Sequence, residues 1–313
     1  MTRRIATIDL GTNTVLLLVA ERAESGELVP VVEKATITRL GRGVDRTRRL
    51  AEDRVAATVD CLKSYAAIAS ENGATLVDAV ATSAMRDAAG GEPIFQALRD
   101  CGSNLRVISG QEEAELTFLG ATSGLRVNDA SPDEPMVVFD VGGGSTEFVH
   151  GVREDGHARI ESAVSFDVGS VRLTERHLEG DPPTALSTAA LAADLVTTFT
   201  PLRPTTKRVV GVAGTVTTLA AIHLELATYE AARVHGLRLP RETVRSIAAR
   251  LRTMTLEDRM RVVGLEAGRA DVIVAGAMIV VAAMDALDAS ELTVSDRGVR
   301  WGLAERALAS REL

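Results

Sequence analysis

Apolar and polar positions along this chain follow two alternating periods. Ile5-Ala6-Thr7-Ile8-Asp9-Leu10 is a nearly continuous apolar run that stops at Gly11, and a second run begins at Val15. This is the pattern of a buried strand, a tight turn and a return strand. Between Leu50 and Asn72 the period changes, and Val55, Val59, Leu62, Ala66 and Ala69 recur at helical spacing. Leu76 to Ala81 predicts a short strand ending at Thr82-Ser83-Ala84-Met85-Arg86. A helix around Pro93 to Cys101, a strand from Leu105 to Ser109 and a helix from Glu112 to Ser123 follow. The polar connector Arg126 to Pro135 carries two prolines and marks the expected domain boundary.

Beyond the connector, Val137-Val138-Phe139-Asp140-Val141 and Glu147-Phe148-Val149 form another strand pair around a glycine turn. A strand near Ala158 to Ser165 and a helix from about Ser170 come next. The strand Arg208 to Val212 runs through Ala213-Gly214-Thr215 into an apolar helix from Val216 to Glu225. By itself this strand–glycine–helix loop is only a weak phosphate or nucleotide signal. The last third reads as helices over Pro240 to Thr253, Leu256 to Leu265 and Arg269 to Leu287, then a strand from Leu292 to Ser295 and a helix from Trp301 to Ala309. Alternating strand and helix signals predict an α/β architecture with mixed sheets.

Composition narrows the frame. At 313 residues the chain exceeds a typical single core, so two domains of about 150 residues each are expected. Net charge is −8, which argues against nucleic acid as a partner of the whole surface while leaving a local basic cleft open. The N-terminus enters a strand pattern at once, so no signal peptide is expected. The longest apolar run, Val272 to Met284, is short of the roughly 20 residues of a membrane span. It reads as a buried core helix, with no membrane partner and a cytoplasmic location. Cys61 and Cys101 form no CxxC pair and fall in helical segments, which predicts buried thiols in a reducing compartment. His150, His157, His177, His223 and His235 lack zinc-ligand spacing, and no Ser-His-Asp or Cys-His constellation supports a covalent nucleophile.

The two strand–turn–strand segments match at a constant offset of 131 positions, pairing Asp9 with Asp140, Gly11 with Gly142 and Thr14 with Ser145. Glycines let successive N–H groups converge on an anion, and a hydroxyl adds a donor. An Asp at a strand end can hold a hydrated Mg²⁺ through its carboxylate. A D-x-G turn alone is also an ordinary hairpin. Two matching copies, one followed by Glu147, favour phosphate loops in a cleft between two lobes.

These segments, with Ala81 to Arg86, Ser109-Gly110-Gln111-Glu112-Glu113-Ala114, Asp140-Val141-Gly142-Gly143-Gly144-Ser145-Thr146-Glu147 and Gly211 to Thr215, resemble the exopolyphosphatase / guanosine pentaphosphate phosphohydrolase family, within the actin-like ATPase superfamily. The resemblance covers essentially the whole chain. It implies two ribonuclease H-like domains with mixed sheets around an interdomain cleft, over 1–125 and 126–299, with a C-terminal helix at about 300–313 packing back on the first. Without a His-Asp dipeptide, the chain reads as the short, two-domain form. The resemblance implies hydrolysis of the terminal phosphoanhydride of inorganic polyphosphate or of guanosine pentaphosphate, and a homodimer.

Such hydrolysis needs an in-line water and charge neutralisation rather than covalent help. Glu113 matches the family's proposed base. Asp9, Asp140 and Glu147 would place Mg²⁺, with Mn²⁺ equally suited to oxygen ligands. Thr12, Asn13 and Thr14, facing Gly143, Gly144 and Ser145, would cradle phosphate, with Arg86 as a forked second ligand.

Each assignment has an ordinary structural counterpart. Glu112 and Glu113 begin a helix, where acids suit the helix dipole whatever their function. Glu147 could be a solvent-facing strand residue, and Arg86 could pair with Asp87 or Glu112. The cluster Arg39, Arg42, Arg46, Arg48 and Arg49 is either a polyanion path or a solvated loop. Three functions follow: a phosphohydrolase, a kinase or ATPase of the same superfamily, and a non-catalytic polyphosphate or alarmone sensor. The S-G-x-E-E-A pattern disfavours the kinase.

Overall fold

The computed structural model describes residues 4–24, 26–125, 134–154 and 157–309. The connector expected at 126–135 lies outside them except for its last two residues. The chain divides into two compact units, Met1–Gly124 with Gly298–Leu313, and Leu125–Arg297.

The first unit opens with β1 (Arg4–Leu10), β2 (Thr14–Arg22) and β3 (Leu28–Ile37), an antiparallel meander. A single helical turn, α1 (Val44–Thr47), leads to α2 (Glu52–Glu71). The latter ends at Asn72 and a left-handed Gly73, whose following residue Ala74 donates its N–H back to the Ala69 carbonyl. Then come β4 (Thr75–Ala81), α3 (Ser83–Asp87), α4 (Glu92–Asp100), β5 (Leu105–Val107) and α5 (Gly110–Thr122). The sheet order is β3-β2-β1-β4-β5, with β4 parallel to β1 and β5 parallel to β4.

Strand β1 is buried on both faces, which is why its sequence is an unbroken apolar run rather than an alternation. Ala6, Ile8 and Leu10 pack with Val55, Leu62 and Tyr65 of α2, whereas Ile5, of opposite parity, packs elsewhere.

The second unit repeats the plan. Strands β6 (Met136–Val141), β7 (Thr146–Glu154) and β8 (His157–Phe166) form a meander, followed by α6 (Ser170–His177), α7 (Ala185–Thr198), β9 (Arg208–Val212) and α8 (Ala213–His223). The turn α9 (Ala231–Val234), β10 (Arg238–Pro240), α10 (Arg241–Arg252), α11 (Leu256–Arg259), α12 (Ile273–Ala286) and β11 (Glu291–Val294) complete it. Its sheet reads β8-β7-β6-β9-β11-β10, so the first five strands repeat the order of the first unit. The repetition reaches single residues. The register of β2 on β3 slips between Val19 and Ala20, and that of β7 on β8 between His150 and Gly151, again 131 positions apart.

Phe139, Phe148, Phe166 and Phe199 cluster in this unit, the last three with ring centroids 5.3–5.9 Å apart and edge-on.

Helix α13 (Val299–Ala309) belongs to the first unit. Trp301, fully buried, packs with Ile5, Leu18 and Leu28, and Leu303 packs with Leu116 of α5. A Cβ on Gly302 would sit 2.0 Å from the Leu116 carbonyl oxygen, and one on Gly120 would sit 2.1 Å from that of Gly298. These two glycines therefore let the backbones of α5 and α13 touch. Arg306 pairs with Glu112, and Ser123 Oγ donates to Glu305 at 2.6 Å.

Several expectations need correction. The helix expected from Leu256 to Leu265 stops at Arg259, and the segment after it turns at Gly264, which takes φ +86° against the Ala221 backbone. The helix expected from Arg269 begins only at Ile273, after a 3-10 turn at Ala267–Arg269. Strand β3 and helix α7 carried no clear sequence signal. Cys61 is buried as expected, but Cys101 is exposed at the end of α4.

Candidate active site

In the first unit, β1 and β2 pair in the register Asp9–Leu16 and Leu10–Val15, leaving Gly11, Thr12 and Asn13 as the turn. The Gly11 N–H donates to the Thr14 carbonyl at 3.1 Å, and the Gly11 Cβ position would lie 3.0 Å from the same oxygen. Thr38 and Arg39 donate their N–H groups to the Asn13 carbonyl, and Gly41 donates to the Thr12 carbonyl at 2.8 Å. The turn's carbonyls are thus engaged from outside. The N–H groups of Thr12 and Asn13 have no acceptor among the described residues, although both residues are buried. The Thr14 and Thr38 hydroxyls are buried and likewise make no hydrogen bond among them. Unclaimed buried donors are rare in folded proteins, so these groups are available to an acceptor such as an oxyanion.

The second unit has the same construction. Asp140 pairs with Glu147 and Val141 with Thr146, leaving Gly142 to Ser145 as the turn. Gly142 N–H donates to the Ser145 carbonyl at 3.0 Å, and its Cβ position is again 3.0 Å from that oxygen. Ser170 donates to the Gly142 carbonyl, and Val171 and Arg172 donate to that of Gly143. The buried Arg172 reaches the Gly144 carbonyl with Nε at 2.7 Å. The turn lies so close to α6 that a Cβ on Gly169 would be 2.4 Å from the backbone of Gly143 and Gly144. With its carbonyls spent on α6, the N–H groups of Gly143, Gly144 and Ser145 are left without acceptors among the described residues. Successive free N–H groups of this kind form an anion-binding concavity.

The carboxylates divide unevenly. Asp9 in the first unit and Asp140 in the second are both buried near strand ends. Glu147 is also buried, at 1% exposure, so it is not the solvent-facing strand residue its position allowed. Its Oε1 accepts from Ser165 Oγ at 2.6 Å. Asp140 and Glu147 are direct cross-strand partners, which places two acids about 5 Å apart on one sheet face, an arrangement that is unfavourable without a cation. Among the described residues no group of three or more His, Cys, Asp or Glu side chains forms a ready metal cage. A pair of carboxylates that shares a cation with phosphate and water is how Mg²⁺ commonly binds.

Glu113 lies in the first turn of α5, whose N-cap Ser109 accepts from the Glu112 N–H at 3.1 Å. Arg86, in α3, donates Nη1 to Glu113 Oε2 at 2.6 Å and to the Ile108 carbonyl at 2.9 Å. Arg86 therefore pairs with neither Asp87 nor Glu112; Glu112 is held by Arg106 and Arg306. Burial pushes the Glu113 carboxyl above the usual carboxylate range, and the Arg86 guanidinium opposes that push. A fixed, partly desolvated carboxylate of this kind suits general-base chemistry.

Thr38, Arg172 and Gly169 were not legible as site residues. All three act on the turns from distant sequence positions. The Gly214 loop is packed by Arg269, whose Nη1 would lie 1.9 Å from a Cβ at Gly214. A cavity of about 730 Å³ in the second unit, lined by Leu195, Phe199, Met278 and Val281, contains none of the expected site residues.

Two hairpin turns with unclaimed N–H groups on repeated sheets, with an arginine-held glutamate at a helix start, are features suited to a phosphate-handling protein. Over residues 18–311 the chain matches the Ppx/GppA phosphatase family, and it belongs to that family. It is 39% identical to "Exopolyphosphatase 2" of Mycobacterium tuberculosis, over 96% of this chain and 97% of that protein. It is 31% identical to "Exopolyphosphatase 1" of the same organism, over 98% of this chain and 89% of that protein. Among solved structures, the Ppx/GppA family member of Aquifex aeolicus superposes with a TM-score of 0.83 at 31% identity, covering 100% of both chains. An exopolyphosphatase from Cytophaga hutchinsonii gives 0.86 at 25%, covering 98% of each. The two-sheet α/β fold expected from the sequence is the actin-like ATPase type of these structures.

Proposed function

We propose that this protein is an exopolyphosphatase, releasing orthophosphate from the end of inorganic polyphosphate. The observation that carries the reading is the pair of buried turns whose N–H groups lack acceptors, in a chain whose near full-length relatives are named exopolyphosphatases. Thr12, Asn13 and Thr14, and Gly143, Gly144 and Ser145, bind phosphate oxygens through N–H and hydroxyl groups. Glu113 takes the proton of the attacking water as its oxygen bonds to the terminal phosphorus. The bridging P–O bond breaks, and the shortened polyphosphate leaves with the bond's electrons. Arg86 orients Glu113 and opposes the upward push of burial on its carboxyl, and is the second phosphate ligand of the resemblance.

Asp140 and Glu147, with Asp9 of the first unit, are the residues that would hold Mg²⁺, or Mn²⁺ with the same oxygen donors. The ion supplies charge neutralisation at the phosphates. No helix among the described residues is long and apolar enough to cross a membrane. A cytoplasmic enzyme is our reading.

The test is orthophosphate release with Mg²⁺ from long polyphosphate, tripolyphosphate, guanosine pentaphosphate and ATP in parallel, with Glu113→Gln as control. Release from polyphosphate that vanishes in the variant is expected. Preference for guanosine pentaphosphate would reassign the substrate, and binding without release from any substrate would make the protein a sensor.

A further inference from the structure

The segment from Arg39 to Arg49 carries five arginines against one acidic residue, Asp45, in a protein whose net charge is −8. Most guanidiniums elsewhere in the first unit are spent on carboxylates: Arg4 on Glu21, Arg54 on Asp53, Arg86 on Glu113, Arg106 on Asp78 and Arg300 on Glu33. Arg42, Arg46, Arg48 and Arg49 are different. All four are exposed, and none enters an ion pair among the described residues.

This is also not a slack loop. At one end Thr38, Arg39 and Gly41 donate their N–H groups to the carbonyls of Asn13 and Thr12 in the first turn. Gly41 is pressed on that turn, since a Cβ there would lie 2.1 Å from Thr12 Cγ2. At the other end Ala89 donates to the Arg48 carbonyl and Leu50 donates to that of Ala89, three residues beyond Arg86. Between the anchors the chain makes the turn α1, and Arg39 and Arg48 hold left-handed φ values of 57° and 54°. Non-glycine residues adopt that conformation when surrounding structure imposes it. The segment is therefore a braced strip that starts at the first turn and ends beside the helix carrying Arg86, and its Arg42, Arg46, Arg48 and Arg49 make no ion pair among the described residues.

We propose that Arg42, Arg46, Arg48 and Arg49 form a track for the distal phosphates of a long polyphosphate chain, and so set the preference for long over short substrates. The inference rests on the exopolyphosphatase reading. A linear polyanion without bases fits this surface better than nucleic acid does, because residues 38–50 contain no aromatic side chain on which a base could stack.

The test replaces the four residues together as Arg42→Gln, Arg46→Gln, Arg48→Asn and Arg49→Gln, the Asn chosen to tolerate the left-handed backbone. Phosphate release from long polyphosphate and tripolyphosphate is measured over a range of salt, with equilibrium binding of both to the same proteins. KM and Kd for long polyphosphate should rise about tenfold or more, and the log–log salt slope should fall by about three, the counterions of four guanidiniums. Values for tripolyphosphate and its kcat should stay within about twofold, which also reports an intact fold. Unchanged long-chain binding in a variant that still hydrolyses, or equal losses for both substrates, would overturn the track. So would loss of single-stranded RNA binding with polyphosphate binding retained. A parent protein that releases phosphate from neither polyphosphate would instead reject the underlying exopolyphosphatase reading.

Discussion

The hairpins β1–β2 and β6–β7 share a backbone and differ in what it carries. Each closes its turn with the same N–H to carbonyl bond, crowds a Cβ at the same position to the same degree, and slips register at the equivalent residue. Yet where the second hairpin sets Glu147 opposite Asp140, the first sets Leu16 opposite Asp9. The first turn is braced by the Thr38–Gly41 segment, the second by α6. The first unit holds the buried Glu113 against Arg86 at the start of α5, whereas Glu242, held by Arg245 at the start of α10 in the second unit, is exposed. The difference teaches that a duplicated scaffold keeps the geometry of anion binding while its side chains divide the remaining chemistry. One unit carries the proposed base, and the other carries the carboxylate pair.

Removing the base should produce the largest effect. Glu113→Gln should lower kcat about 10²–10⁴-fold while leaving polyphosphate binding in place, as a general base predicts. A rate within about threefold of the parent would remove Glu113 from that role.

The next change makes the second hairpin chemically like the first. Glu147→Leu should raise the Mg²⁺ concentration for half-maximal activity by about 10–100-fold and leave thermal stability intact, since a buried acid beside another acid is replaced by the residue its counterpart already has. An unchanged Mg²⁺ titration would mean that the two hairpins do not divide their labour in this way.

Arg86→Gln tests how far the arginine favours the ionised form of Glu113. Glu113 must be a carboxylate to accept a proton, so activity falls as pH drops through its raised pKa. Arg86 opposes the rise, and without it the acidic limb of kcat/KM should move to higher pH. A limb that stays in place would show that Arg86 acts only on substrate.

The smallest effects should come from the paired hydroxyls. Thr14→Val and Ser145→Ala should each cost about 0.5–1.5 kcal/mol in kcat/KM, as for one hydrogen bond. Similar losses support equal phosphate binding by both turns, and a loss from one alone would break the symmetry.

The repeat was legible in the sequence because its markers, an Asp, a glycine and a hydroxyl, are constrained by backbone geometry and so survive at fixed spacing. Glu113 stood out through the resemblance carried by its motif, because on helix-dipole grounds alone it was indistinguishable from Glu112. What could not be read were contacts made across the fold. Arg86 on Glu113, Arg172 on Gly144 and Thr38 on Asn13 join residues far apart in sequence. Strand β3 was missed because its half-exposed residues show no clear alternation, and the false extension of α11 ignored the left-handed turn at Gly264.

The glycine-mediated contact of α5 with α13 also fixes an order of events during synthesis. The second unit is one continuous stretch and can finish its core as it emerges from the ribosome, whereas the first waits for residues 298–309 to close over α5. A ribosome-stalled chain ending near residue 297 should show a protease-resistant second unit and a cleavable α5. If α5 is already protected there, its ordering does not depend on α13. A cleavable α5 in that chain would mean that Glu113, in its first turn, takes its place only once residues 298–309 have emerged.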